Sequence, residues 1–186
     1  MHKLIRQILK TGILPRLPFR RRDALPATVA PGPSLTEEIG RALAVRHVDT
    51  GSCNGCELEI QALGNAVYNL AALGVRLVAS PRHADVLLVT GPVARAMADP
   101  LRAAYEAVPN PKRVVALGDC ACGCGVYTAN YATVGAVSPV IPVDLTIPGC
   151  PPSPEVIREA FAALMRPRPQ AATARGLVRR LMGRGR

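Results

Sequence analysis

Six cysteines stand at positions 53, 56, 120, 122, 124 and 150 of this 186-residue chain. As thiolates they are soft ligands for zinc or iron. Cys53-Asn-Gly-Cys56 spaces two thiols as a metal-binding knuckle does, while Cys120 and Cys150 stand apart in their own loops. Gly51, Gly55, Gly118, Gly149, Pro148, Pro151 and Pro152 surround these positions, so the backbone can bend closely around an inorganic group and hold its ligands stiffly. Four thiolates suit zinc and an iron-sulfur cluster equally in charge and softness. Structural zinc sites usually pair two Cys-x-x-Cys knuckles, and here only Cys53 and Cys56 make one, which favours iron-sulfur. A lone Cys-x-x-Cys would also suit a thioredoxin-like redox pair, but the two companion cysteines count against it. Three disulfides are the bland alternative, disfavoured for a chain with no export signal because the cytosol keeps thiols reduced.

The elements that must position these thiols read as alternating strand and helix. Ala44 to Asp49 forms a strand leading into a Gly-Cys loop at 51–56. A helix follows, with Glu57 and Glu59 in its first turn and Ile60, Leu63, Val67 and Leu70 on one face, ending at Gly74. Val75 to Ala79 and Val86 to Thr90 are short apolar strands, and Arg113 to Leu117 is a further buried one. Pro100 to Val108 is helical in pattern, and a second Gly-Cys loop spans Gly118 to Gly125. Asp144 to Ile147 leads into Pro148-Gly-Cys-Pro-Pro152, after which Ser153 caps a helix from Pro154 to about Met165. The sum is an α/β fold with a parallel, flavodoxin-like sheet flanked by helices. In such a sheet the carboxyl ends of the strands share one edge, so Cys53, Cys56, Cys120 and Cys150 converge there from three loops. A strand ending at Leu117 delivers Cys120 to that edge at once, whereas Cys122 and Cys124 lie further along a Gly-rich turn.

The formal charge of +10 sits at the ends of the chain. Residues 1–22 hold seven Lys and Arg and residues 166–186 seven more, with no acidic residue in either, which leaves the body at −4. Basic arms on a mildly acidic body fit a membrane surface or acidic partner subunits better than readout of a nucleic-acid groove. With aromatics at 3% and no Trp there are no stacking platforms for bases, and no nucleic-acid partner is expected. The reading divides the chain into a basic amphipathic arm (1–22), a Pro-rich extended linker (23–41), the thiol-bearing domain (42–165) and a basic tail (166–186). In the first arm Leu4, Ile5, Ile8 and Leu9 share one arc of a helical wheel, and Lys3, Arg6 and Lys10 the other. No apolar run approaches the ~18 residues a spanning helix needs. Arg20-Arg21-Arg22 is followed by no sustained apolar segment, so no export signal is read and a cytoplasmic location is expected.

Four segments, in order, carry a resemblance. Val48-Asp-Thr-Gly-Ser-Cys-Asn-Gly-Cys-Glu-Leu-Glu-Ile60, Ser80-Pro-Arg-His-Ala-Asp-Val-Leu-Leu-Val-Thr-Gly91, Gly118-Asp-Cys-Ala121 and Pro148-Gly-Cys-Pro-Pro152 resemble the small subunit of membrane-bound, energy-conserving NiFe hydrogenases and formate hydrogenlyase-type complexes. That subunit is similar to the 20-kDa subunit of respiratory complex I. The likeness covers roughly residues 43–165, and the amphipathic start Lys3 to Gly12 also looks like that group. It implies one 4Fe-4S cluster on Cys53, Cys56, Cys120 and Cys150, beside the active site of a large partner subunit: a NiFe centre in hydrogenases, a quinone pocket in complex I. It further implies a ferredoxin-like iron-sulfur subunit and membrane subunits as partners, at the cytoplasmic face of the inner membrane. The function expected is electron transfer, with no complete active site on this chain. Complex I subunits place two cysteines side by side at the first motif, so Cys-x-x-Cys resembles the hydrogenase branch. The 20-kDa quinone-site subunit is the nearer alternative, and a cluster- or zinc-containing nucleic-acid-binding regulator the farther one. Cys122 and Cys124 depart from the family's pattern, which expects small or polar residues there, with Gly near 124. They read as spare thiols, or one of them replaces Cys120 as ligand. Glu57 is a candidate for proton passage, weighed equally against dipole complementarity at a helix start. His47 and His83 read as structural or interface residues rather than ligands.

Overall fold

The computed structural model describes residues 28–29 and 42–165. Eight strands lie in it: β1 (Thr28–Val29), β2 (Leu43–Asp49), β3 (Val75–Leu77), β4 (Val86–Thr90), β5 (Val93–Ala94), β6 (Arg113–Leu117), β7 (Thr133–Gly135) and β8 (Leu145–Ile147). Four α-helical segments accompany them: α1 (Gly55–Ala62), α2 (Ala98–Ala107), the single turn α3 (Asp119–Cys122) and α4 (Pro154–Met165). The basic arms expected at 1–22 and 166–186 lie outside the described residues.

Six strands form one sheet in the order β1-β8-β6-β4-β2-β3, parallel throughout except for β1. Numbered by chain order, the five parallel strands run 2-1-3-4-5, the flavodoxin-like arrangement expected from the sequence. Its centre is apolar on both sides because β4 and β6 are covered by helices on both faces. Val86, Leu88, Val115 and Leu117 pack with Ile157, Phe161 and Leu164 of α4 and Ile60 of α1. Leu87, Val89, Val114 and Ala116 face the other way, onto Leu101 of α2 with Val137 and Ile141. In α4 the buried Ile157, Ala160, Phe161 and Leu164 recur at the spacing of one helical face, behind a proline at the first position. Two buried or half-buried carboxylates register the strands: Asp85 Oδ2 accepts from Ala44 N at 2.9 Å, and Asp144 Oδ2 from Val114 N at 2.8 Å.

Several expected bounds shift. The helix read from Glu57 to Gly74 ends at Ala62, and Val67, assigned to its buried face, is 82% exposed. Turn chemistry overrides the apolar period there: Asn65 Oδ1 accepts from Val67 N and Tyr68 N at 2.9 Å each, and Asn69 takes a left-handed conformation ahead of a 3₁₀ turn at Leu70–Leu73. Leu70 N still donates to Leu63 O at 3.0 Å, so both leucines reach the core without a continuous helix. Strand β3 stops two residues short of Ala79, α2 starts two residues before Pro100, and the second Gly-Cys loop opens with the helical turn α3. Thr28 and Val29, within the expected linker, pair antiparallel with Thr146 and Leu145. The small ribbon β5–β7 has no counterpart in the sequence pattern.

Candidate metal centre

Three loops leave the same carboxyl edge of the sheet, from β2, β6 and β8, with β4 standing between β2 and β6. In the first, Asp49 Oδ1 accepts from Gly51 N and Ser52 N at 2.8 Å each, turning the chain sharply out of the strand. Asn54, left-handed, then starts α1, and Cys56 falls in its first turn. The loop after β4 backs this one so closely that a Cβ on Gly91 would lie 2.5 Å from Ser52 N. In the second loop Gly118 has φ +90°, and a Cβ on it would lie 2.6 Å from Cys56 Sγ. Only glycine admits the Cys56 thiol against the end of β6. A Cβ on Gly125 would come within 2.9 Å of Cys120 Sγ, so the turn back over Cys120 is equally tight. The third loop is tied to the second: Asp119 N donates to Gly149 O at 2.9 Å, and Gly149 N donates to Asp119 Oδ1 at 2.6 Å.

Cys53, Cys56, Cys120 and Cys150 all line one solvent-open cleft, together with Ser52 and Tyr127. Burial pushes the Cys56 thiol up to about 12, reinforced by negative charge from Glu57 and from Cys53, Cys120 and Cys150. Cys120 is raised by burial and then by Cys150 and Cys53. As bare thiolates the four would repel one another. A cationic iron core offsets that repulsion, so the donor set and the glycine-cleared space fit an iron-sulfur group. Among the described residues no three His, Cys, Asp or Glu converge on a single metal ion.

Cys122 and Cys124 do not line the cleft. Cys122 packs on the α2 side of the sheet, its Sγ 3.6 Å from Ala116 O, and burial pushes its thiol up to about 12. Cys124 is exposed and faces Asp119 Oδ1 at 3.7 Å.

Glu57 sits at the start of α1, where an acid complements the dipole. Its Oε2 also accepts from Ser52 Oγ at 2.6 Å, while its buried Oε1 has no hydrogen-bond partner and lies 3.7 Å from His47 Nε2. His47 Nε2 is in turn 2.8 Å from Thr90 Oγ1. Burial lowers the His47 pKa more than Glu57 raises it, so the ring is neutral at pH 7. His47, read from sequence as structural, thus joins Glu57 and Thr90 in a polar group behind the first Cys loop. His83 is exposed in the 3₁₀ turn Pro81–His83 and does not line the cleft. Sequence reasoning missed Ser52, Thr90 and Asp119; the available signal was that Ser52 and Asp119 each directly precede a candidate ligand.

Residues 53–164 match the family model described as the NADH ubiquinone oxidoreductase 20 Kd subunit. The chain is 47% identical over 123 residues to the probable membrane-bound hydrogenase subunit mbhJ of Pyrococcus furiosus, covering 66% of this chain and 74% of that one. It is 41% identical over 143 residues to formate hydrogenlyase subunit 7 of Escherichia coli, covering 77% of this chain and 56% of that one. A subunit of the Desulfovibrio desulfuricans NADH-quinone oxidoreductase is 40% identical over 126 residues, 67% of each chain. Among solved structures, a chain of the archaeal membrane-bound sulfane sulfur reductase superposes with a TM-score of 0.60 at 32% identity, over 70% of this chain and 72% of that one. A chain of an NAD⁺-reducing [NiFe]-hydrogenase shares the fold, with a TM-score of 0.52 at 20% identity, over 72% of this chain and 98% of that one. With the family model spanning residues 53–164 and relatives at this identity, the chain belongs to the NADH ubiquinone oxidoreductase 20-kDa subunit family.

Proposed function

We propose that this chain holds one 4Fe-4S cluster on Cys53, Cys56, Cys120 and Cys150 and passes electrons to or from the active site of a large partner subunit. The observation that carries this reading is the convergence of four thiols from three loops on one open cleft. Structural zinc sites usually pair two Cys-x-x-Cys knuckles. Here only Cys53 and Cys56 form one, while Cys120 and Cys150 stand alone in their own loops, which supports the cluster over zinc. When bound, the cluster supplies one-electron transfer at a potential set by its surroundings. The chain's own residues hold and orient it: Gly118 and Gly125 leave room for the thiols, and the Asp119–Gly149 pair fixes two loops against each other. The large subunit covers the open side of the cleft, where Cys53, Cys150 and Tyr127 are exposed.

The assembly is a peripheral part of a membrane-associated oxidoreductase of hydrogenase or complex I type, on the cytoplasmic face of the inner membrane. A large subunit, a ferredoxin-like iron-sulfur subunit and membrane subunits are its partners. The relatives' membership of membrane-bound complexes and the basic arms support this location. Among the described residues no helix is long and apolar enough to cross a bilayer. Ser52, Glu57 and His47 form a short polar group beside Cys56, and Glu57 is the residue we assign to proton passage there.

The complex purified anaerobically from its own host tests the reading. About four iron atoms are expected at this site beyond the clusters of other subunits, together with an EPR signal that appears on one-electron reduction. Stoichiometric zinc in this chain with no iron chromophore would overturn it.

A further inference from the structure

We propose that Asp119 is the positioning residue of the thiol site: it clamps the loop of Cys120 to the loop of Cys150 and keeps a negative charge beside the group they hold. The inference rests on the cluster reading above. Asp119 and Gly149 are joined in both directions, by Asp119 N to Gly149 O at 2.9 Å and by Gly149 N to Asp119 Oδ1 at 2.6 Å. Each of the two is the immediate neighbour of a proposed ligand, so this pair sets the distance between the Cys120 and Cys150 thiols. A hydrogen bond to a carboxylate is stronger than one between neutral groups, which suits a link between loops 30 residues apart.

The same carboxylate oxygen faces the Cys124 thiol at 3.7 Å, and Cys124 N donates to Asp119 O at 3.0 Å. Cys124 therefore closes the turn that begins at α3 back onto the clamp, a role that needs no iron. Asp119 also lines the cleft that the four thiols share. A fixed negative charge next to a redox centre disfavours the reduced state, which carries one more electron.

Four variants of the intact complex, purified anaerobically, decide the matter. Asp119→Asn keeps the acceptor for Gly149 N and removes the charge, so iron content and EPR line shape should stay native while the midpoint potential moves positive. Asp119→Ala removes both and should lower iron content or change the g-values. Cys124→Ser keeps a donor and should retain a native spectrum. An unshifted potential in Asp119→Asn, iron loss in Asp119→Asn as large as in Asp119→Ala, or a native spectrum and potential in Asp119→Ala would each overturn the inference. Cys120→Ser separates the two levels: if it loses the signal while the Asp119 variants stay native, only the clamp is wrong. If Cys120→Ser keeps a native spectrum, the ligand reading itself fails.

Discussion

At the scale of single residues, the six cysteines divide by what each thiol faces. Four face the shared cleft, Cys122 faces the apolar layer under α2, and Cys124 faces a carboxylate. Replacing a ligand thiolate with Ser substitutes a harder and weaker donor for iron, while replacing Cys122 or Cys124 changes only packing or a weak hydrogen bond. Cys53→Ser, Cys56→Ser, Cys120→Ser and Cys150→Ser should each lose the EPR signal of this site or alter it deeply, and Cys122→Ser and Cys124→Ser should keep it. A native spectrum in Cys120→Ser with loss in Cys122→Ser or Cys124→Ser would reassign that ligand. His47 carries a pH dependence of definite sign. Its pKa is lowered in the folded chain from 6.5, chiefly by burial and against the pull of Glu57. Between those two values the unfolded chain binds a proton that the folded chain does not, so this residue's contribution to stability falls as pH drops below about 6.5. Melting of the complex at pH 7.5 and 5.5 should show a smaller loss in His47→Gln than in the unaltered protein. Equal losses would remove His47 as the cause.

Elements decide where these side chains stand. Strands β4 and β6 are legible because Val-Leu-Leu-Val-Thr and Arg-Val-Val-Ala-Leu are short branched runs bounded by turn residues, and the structure begins and ends both where the sequence does. Helix α4 is equally clear from its Pro start and its apolar period. The segment after α1 deceives because Ile60, Leu63, Val67 and Leu70 mimic one helical face, while Asn65 and Asn69 offer local hydrogen bonds that compete with the helix. At the end of β6 the tightest requirement falls on Gly118. Gly118→Ala forces a side chain into φ +90° and sets a methyl 2.6 Å from the Cys56 sulfur. The backbone strain alone costs about 1–3 kcal/mol. Iron at this site should fall sharply while circular dichroism of the complex stays near native, because the displaced group is a proposed ligand rather than a core strand. Full iron with a native spectrum would mean the loop has more room than its geometry allows.

For the whole molecule, the sheet order brings together loops separated by up to 97 positions, and the sequence places basic stretches at both ends of a mildly acidic central region. Residues 1–22 carry seven basic and no acidic side chains, and their charge has no local complement. Deleting them should release this chain and its soluble partners from the membrane fraction, or weaken docking, with iron retained at the thiol site. Loss of the cluster on that deletion would place the arm in the folding of the domain instead. What the sequence determined by itself was whatever depends on local pattern and composition. The strand runs, the amphipathic α4, the Gly- and Pro-bounded Cys loops and the segregation of charge are all of that kind, since each is dictated within a few residues. Tertiary structure alone decided the rest. The Asp119–Gly149 clamp, the His47–Thr90 contact and the pairing of Thr28–Val29 with β8 join residues distant in the chain, and the fold alone turns Cys122 to the far face of the sheet. Such contacts depend on strand order, register and which way a loop turns, and a pattern read along one dimension does not contain them.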